Sequence, residues 1–273
     1  MLVLAFAAVE VAGGLVSGSL ALLADAVHMA SDAGSLGLAL GAAWLARRPP
    51  TPGRSFGYAR AEILAALTNG AVLVALAIWI FVEAGRRLAH PPEIEGGWVL
   101  AVGLAGLVVN LAAARVLWRP GGSLNIRAAL LHVLADLLGS IGVVLAALLV
   151  LAFGWERADP IVSIAIGILV LASARGVLRE STAILLESAP EGLDVAGVGH
   201  ALAAHPGVVG VHDLHVWTIT SGFPSLSAHV VVARDADCHA VRRELEQVLH
   251  ERFGLDHTTL QVEHEQGLLV LQR

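Results

Sequence analysis

Two stretches place a histidine and an aspartate four residues apart within otherwise apolar sequence. They are Asp25-Ala26-Val27-His28-Met29-Ala30-Ser31-Asp32 and Leu131-His132-Val133-Leu134-Ala135-Asp136. On a helix, positions i and i+4 lie one above the other, so each pair presents an imidazole beside a carboxylate. An ionisable side chain inside a membrane helix costs at least about 2–3 kcal/mol, which makes such residues functional candidates. If the two helices face each other, His28, Asp32, His132 and Asp136 form an N2O2 set of the kind that suits tetrahedral Zn²⁺. Two ionised carboxylates neutralise a divalent cation, and in its absence two crowded carboxylates in a poor solvent take up protons. Metal and protons then compete for the same groups, which is the physical core of a metal/proton exchanger. For one pair alone, an interhelical hydrogen bond is a sufficient explanation; two pairs at the same spacing favour metal. Asp25 shares the face of His28 and Asp32, and reads either as an accessory or entry-path carboxylate or as a helix cap. Glu10, Glu62, Asn69 and Asn110 read equally as interhelical hydrogen-bonding groups or as transport elements.

These pairs need a membrane around them, and the composition supplies one. The 273 residues are 56% hydrophobic and 15% charged, with a mean hydropathy of +0.75. Soluble domains sit near 45–50% apolar and about 25% charged. Six apolar stretches, 1–17, 21–46, 59–88, 98–118, 124–153 and 158–179, reach the roughly 20 residues a spanning helix needs. The first begins without the charged leader and small-residue cleavage site of a signal peptide and is read as a span. Turn chemistry separates the stretches: Ser17-Gly18-Ser19, the segment Arg47 to Arg54 with three prolines, Pro91-Pro92 and Pro120-Gly121-Gly122. Arg47, Arg48, Arg54 and Arg60 flank the 2–3 connection, and Arg115, Arg119 and Arg127 flank the 4–5 connection. The opposite side holds only Arg86, Arg87 and Arg157. Positive residues stay on the cytoplasmic side, so both termini of this multi-pass chain are expected in the cytoplasm.

Two domains are expected, a transmembrane domain at 1–185 and a soluble module at 186–273. The first part carries 11 acidic residues and 12 Arg, the second 12 acidic residues and five Arg, and nine of the 12 histidines lie in the second. A tail of formal charge −7 argues against a nucleic-acid partner. The single cysteine, Cys238, excludes an intramolecular disulfide and any cysteine-only metal site. Within the tail, Asp194 is placed to cap a helix running to Ala204. Val208 to Thr220 and Ser225 to Ala233 read as strands joined by the hairpin signal Ser221-Gly222-Phe223-Pro224. Asp237 to Phe253 has helical spacing, and Thr258 to His264 reads as a last strand. This α-β-β-α-β order predicts a small open α+β sheet with helices on one face.

The sequence resembles the cation diffusion facilitator family, in particular its zinc-transporting bacterial branch. The stretches that carry the resemblance are Ser17-Gly18-Ser19-Leu20-Ala21-Leu22-Leu23-Ala24-Asp25-Ala26-Val27-His28, Phe56-Gly57-Tyr58-Ala59-Arg60-Ala61-Glu62, Leu130-Leu131-His132-Val133-Leu134-Ala135-Asp136 and Val211-His212-Asp213-Leu214-His215-Val216-Trp217. The resemblance implies a homodimer with six transmembrane helices and a cytoplasmic ferredoxin-like domain, exporting divalent metal in exchange for protons by alternating access. It implies His28, Asp32, His132 and Asp136 as the transport site, in a version similar to members that favour zinc, sometimes with cobalt or cadmium. An Asp in place of His28 marks relatives with broader cadmium or iron activity. Two family features are absent. The 4–5 connection, Arg119 to Asn125, has no histidine, and Arg47 to Ser55 contains neither His nor Asp.

In the tail, the resemblance implies a metal site at His212, His229, His239 and His264, which a ferredoxin-like fold would bring to one edge of the sheet. Asp213, His215, Cys238 and Glu265 are candidate accessory ligands, and Gln266 stands where some relatives have a carboxylate. His200, His205, His250 and His257 lack matched spacing and read as surface residues. The expectation is a homodimeric Zn²⁺/H⁺ antiporter in a lipid bilayer, with no cofactor beyond its transported Zn²⁺, Co²⁺ or Cd²⁺. Two rival classes are weaker. An intramembrane metallohydrolase wants three ligands, an open position and a His-Glu-x-x-His motif, which is missing, so no enzyme is expected. A metal-sensing receptor that binds zinc in its tail has no need of the intramembrane pairs.

Overall fold

A computed structural model of the chain describes residues 2–118 and 124–265. The centre of the 4–5 connection and Gln266 lie outside the described residues. Six long helices come first: α1 (Leu2–Ser17), α2 (Leu20–Ala46), α3 (Ala61–Ala89), α4 (Gly96–Leu117), α5 (Leu124–Phe153) and α6 (Ala158–Leu185). The tail follows as α7 (Val195–Ala203), β1 (Val208–Thr220), β2 (Phe223–Val232), α8 (Cys238–Phe253) and β3 (His257–His264). The chain divides into two compact units, Met1–Ala42 with Ala65–Leu178, and Ala43–Leu64 with Arg179–Arg273.

Among the described residues, four helices are long and apolar enough to cross a membrane: Ala61–Ala89, Gly96–Leu117, Ala129–Phe153 and Ala158–Leu185. The expected six spans therefore reduce to four clear ones. The apolar helix Ala5–Ser17 is short. α2 has the length, but Asp25, His28, Ser31 and Asp32 dilute its hydropathy, so the residues that give it chemistry also weaken its membrane signal. α6 continues to Leu185, past the apolar stretch that ends at 179.

Helix packing in the first unit centres on Leu73, Ile80, Val99, Val143, Ile166 and Val170. Gly70 marks a close approach, since a Cβ there would lie 2.7 Å from Leu178 Cδ2. Asn110 donates to Ser140 Oγ at 3.0 Å, both buried, so Asn110 ties α4 to α5. The α1–α2 turn uses Gly18 at φ +73°, a conformation that glycine adopts without steric cost. The buried N–H groups that open α2 are met from a distance in sequence. Buried Asp159 accepts from the Ser19 hydroxyl, from Leu20 N at 2.7 Å and from Ala21 N at 3.3 Å. Arg87 donates to Gly18 O at 2.5 Å, fixing the same turn from α3.

In the second unit, the tail forms a three-stranded sheet in the order β1-β2-β3. β1 and β2 are antiparallel, whereas β2 and β3 are parallel, because α8 carries the chain across. The turn is tighter than the four-residue signal. Thr220 pairs with Phe223 and Gly222 takes φ +73°. Leu226, Ala228, Val230 and Val232 alternate inward along β2 and pack with Leu202, Leu245 and Leu249 of the two helices. Asp194 occupies the cap position of α7 but makes no side-chain cap bond. Asp237 does cap α8, accepting from His239 N at 2.9 Å and Ala240 N at 3.1 Å. Those N–H groups, Ala240 first, hold the Asp237 carboxyl below the usual carboxylate range.

Candidate metal centre

The four intramembrane residues meet in one ring of alternating imidazoles and carboxylates. His28 Nε2 lies 3.7 Å from Asp32 Oδ2 and 3.5 Å from Asp136 Oδ1. His132 Nε2 lies 3.2 Å from Asp32 Oδ2 and 3.7 Å from Asp136 Oδ2. Two of these edges are the i, i+4 contacts within α2 and α5; the other two join the helices. With bonds of 2.0–2.2 Å, the ligand atoms of a tetrahedral zinc site stand about 3.3–3.6 Å apart. The four N···O separations fall around that spacing, and each imidazole touches both carboxylates. The two rings sit nearly edge to face, with centroids 6.1 Å apart.

The ring is unevenly enclosed. His28 and Asp136 side chains are 13% and 14% exposed, Asp32 29% and His132 49%. His132 therefore marks the accessible side. Ligand atoms of His28, Asp32 and Asp136 all lie within 4.8 Å of one another. Asp136 Oδ1 and His28 Nδ1 are buried without a hydrogen-bond partner. Buried polar atoms left unmatched call for a ligand or another explanation. A cavity of 80 Å³ beside the ring is lined by Asp25, His28, His132, Asp136, Ile166 and Val170, among others. Asp25 thus borders the site but stands outside the ring, buried at 3% exposure.

Two residues contribute more than their sequence context indicates. Glu10 is 1% exposed, its Oε2 has no hydrogen-bond partner, and its carboxyl contacts that of Asp25. Asp159 positions the site at one remove, because α2, which it caps, carries His28 and Asp32. A lone Glu in an apolar stretch is a signal for the first. No local pattern announces the second, since the cap reaches across about 140 residues of sequence.

The tail gives a looser cluster. His212 and His229 are cross-strand partners with ring centroids 5.0 Å apart, and Asp213 Oδ2 is 3.3 Å from His212 Nδ1. Ligand atoms of all three lie within 4.8 Å. A bulge builds this face. Asp213 and Leu214 oppose the single residue Ala228, and Asp213 adopts φ +51°. His212 and His215, an odd number of residues apart, therefore both stand opposite outward-facing β2 residues, His229 and Ser227.

His264 does not join them. It pairs with Val232, whose side chain faces the helices, so strand parity assigns it to the other face. Its Nε2 lies 3.0 Å from Ala236 O. His239 is exposed at the start of α8, and Cys238 is half-buried against the tail core. Glu265 is exposed and its N–H bonds Val232 O. Of the four histidines read as surface residues, His205 departs from that reading. Its side chain is 13% exposed and lies 3.1 Å from Glu244. His257 is exposed but contacts the rings of Phe56 and Phe223, at 5.8 and 5.2 Å.

Residues 1–186 match the family of cation efflux transmembrane domains, and residues 190–265 match the cytoplasmic domain of cation efflux proteins. Among curated relatives, a cadmium, cobalt and zinc/H⁺-K⁺ antiporter of Bacillus subtilis is 43% identical over 94% of this chain and 84% of its own length. The zinc transporter ZitB of Shigella flexneri is 43% identical over 95% of this chain and 84% of its own. The metal cation efflux system protein CzcD of Cupriavidus metallidurans is 42% identical over 94% and 82%.

Proposed function

Because the chain belongs to the cation efflux family, also called cation diffusion facilitators, we propose that it exports Zn²⁺ through the ring of His28, Asp32, His132 and Asp136 in exchange for protons. It is a divalent metal efflux transporter of the zinc-transporting bacterial branch, not a receptor and not an enzyme. The observation that carries the site assignment is the alternation of imidazole and carboxylate at 3.2–3.7 Å on two helices. Zn²⁺ bound there is formally neutralised by two carboxylates, and Co²⁺ and Cd²⁺ present similar chemistry. Protons arriving at Asp32 and Asp136 remove that neutralisation and expel the cation. A rocking of helices exposes the ring alternately to the cytoplasm and to the outside.

The proposal includes six membrane passes, with α1 and α2 completing the four clear spans, and both termini in the cytoplasm of a bacterial inner membrane. Residues 1–185 translocate metal. Residues 186–273 form the ferredoxin-like module through which two chains associate, supported by the match to the cytoplasmic domain. Two tails of formal charge −7 repel each other. Zinc at His212, Asp213 and His229 offsets that repulsion and favours the closed homodimer.

The test is zinc uptake into inside-out vesicles under an imposed pH gradient, wild type beside Asp136→Ala. Uptake that follows the gradient and disappears in the variant is the expected result. Uptake indifferent to both gradient and substitution would overturn exchange and site together. Absent uptake in the wild type under either gradient would overturn the coupling to protons.

A further inference from the structure

A second cavity, of 1360 Å³, lies within the tail-containing unit, between the α2–α3 connection and the tail sheet. Its lining holds a rim with two arginines and one carboxylate, Glu187, and an apolar wall. The arginines are Arg54 and Arg60, and Leu64, Leu214, Val216 and Trp217 contribute to the wall. Between Ala43 and Ala61 the chain carries Arg47, Arg48, Arg54 and Arg60 and no acidic residue. Arg60 is matched by Glu187 at 3.2 Å. Arg54 is held differently. It donates to the Tyr58 hydroxyl at 2.5 Å, and its guanidinium lies 4.5 Å from the centre of the Tyr58 ring. Among the described residues no carboxylate pairs with it. A guanidinium stacked and bonded in this way is a pre-organised fork for phosphate oxygens.

An inorganic anion would satisfy the rim and leave the wall wet. The combination fits an amphiphile with an anionic head and a hydrocarbon tail. Chain continuity locates the cavity where such molecules are concentrated. Ala61 and Leu64 line it and belong to the first turn of α3, which is apolar enough to span the bilayer. Trp44, at the end of α2, is 63% exposed with the Arg48 guanidinium 4.5 Å over its ring. Exposed Trp and Arg at a helix end are characteristic of the headgroup region, and basic juxtamembrane segments attract anionic lipid. We propose that this cavity binds the phosphate headgroup of an anionic phospholipid, with Arg54 on the phosphate and an acyl chain along the apolar wall. The inference rests on the membrane reading of α3 and is independent of the metal site.

The test uses the full-length protein in zwitterionic detergent, with native mass spectrometry reading retention of dioctanoyl phosphatidylglycerol. The competitors are dioctanoyl phosphatidylcholine and inorganic phosphate. The expected result is a preference of at least about tenfold for the anionic lipid, weakened by salt. Arg54→Gln should abolish the preference. Arg179→Gln, at a side chain 78% exposed on the same unit, should retain it. Gradient-driven zinc uptake by Arg54→Gln confirms that the variant is folded. Equal retention of phosphatidylcholine would reduce the cavity to an apolar groove and overturn the proposal. Displacement of the lipid by phosphate at equal concentration would make it a free-anion site. An unchanged preference in Arg54→Gln would remove Arg54 as the anchor.

Discussion

The intramembrane ring and the tail cluster use the same ligand chemistry under opposite constraints. In the ring, two imidazoles and two carboxylates alternate on two helices with Asp136 and His28 nearly enclosed. In the tail, His212 and Asp213 are 52% and 67% exposed, and three ligands gather among the described residues. A charge in a low-dielectric site is expensive unless matched, so under the proposed function the ring exchanges one positive partner for another rather than standing empty. Solvent-exposed histidines carry no such penalty, so occupancy of the tail cluster can follow metal concentration gradually. Under the proposed function, the comparison separates a site suited to obligatory exchange from one suited to sensing.

The sharpest way to break that contrast is to remove one ligand from each. His132→Ala takes away an imidazole that touches both carboxylates, leaving them unbalanced whether or not metal is present. Zinc flux in vesicles should fall more than about 100-fold, beyond the 10–100-fold typical of second-shell losses. A fall of only a few-fold would place His132 outside the ring's chemistry.

The support beneath the ring should show the next effect. Asp159→Ala leaves the Ser19 hydroxyl and the N–H groups of Leu20 and Ala21 buried without their acceptor. Each such loss costs about 1–3 kcal/mol. Thermal unfolding in detergent should occur well below wild type, with zinc affinity reduced because α2 carries half the ring. Unchanged stability would mean that the α1–α2 turn is held without Asp159, by Arg87 and the Glu95 N–H that bonds Ser17 O.

Between the two sites, the tail substitutions should be mild for flux and marked for binding. His212→Ala and His229→Ala should each weaken zinc binding by the tail, read as loss of zinc-induced dimer closure, yet change flux less than about threefold at saturating zinc. His264→Ala, on the opposite face of the sheet, should leave that closure intact. If His264→Ala matched His212→Ala, the cluster seen in one chain would be an incomplete account of the tail site.

How much of this was legible in the sequence follows from the reach of each interaction. The two i, i+4 pairs are local, so spacing alone exposed them, as did the helix and strand order of the tail. The cross-helix contacts, His28 to Asp136 and His132 to Asp32, needed a facing geometry that spacing can only permit. Asp159 was legible as a charge near a span end and illegible as the cap of α2, because its partners are remote. The tail histidines were placed by element, but the face each presents depends on register. One bulge at Asp213 and the parity of β3 separate His264 from His212 and His229, and neither leaves a mark in the sequence.

The smallest effect compares a cap in the exposed tail with the buried cap of α2. Asp237 holds only two N–H groups at the start of α8, in full contact with water, which competes for the same donors. Its carboxyl lies below the usual range in the folded chain, so its stabilising contribution is complete above the unfolded value of about 3.9. That contribution is lost as pH falls through the lower folded value. Hydrogen exchange at the first-turn amides of α8 should be faster in Asp237→Ala than in wild type at neutral pH. The two should converge in acid. Asp237→Asn keeps an acceptor oxygen without the charge, so if the charge secures the helix start it should differ from wild type at neutral pH as much as alanine does, and likewise converge in acid. A difference from alanine that persisted below the folded value would show that the acceptor, not the charge, secures the helix start.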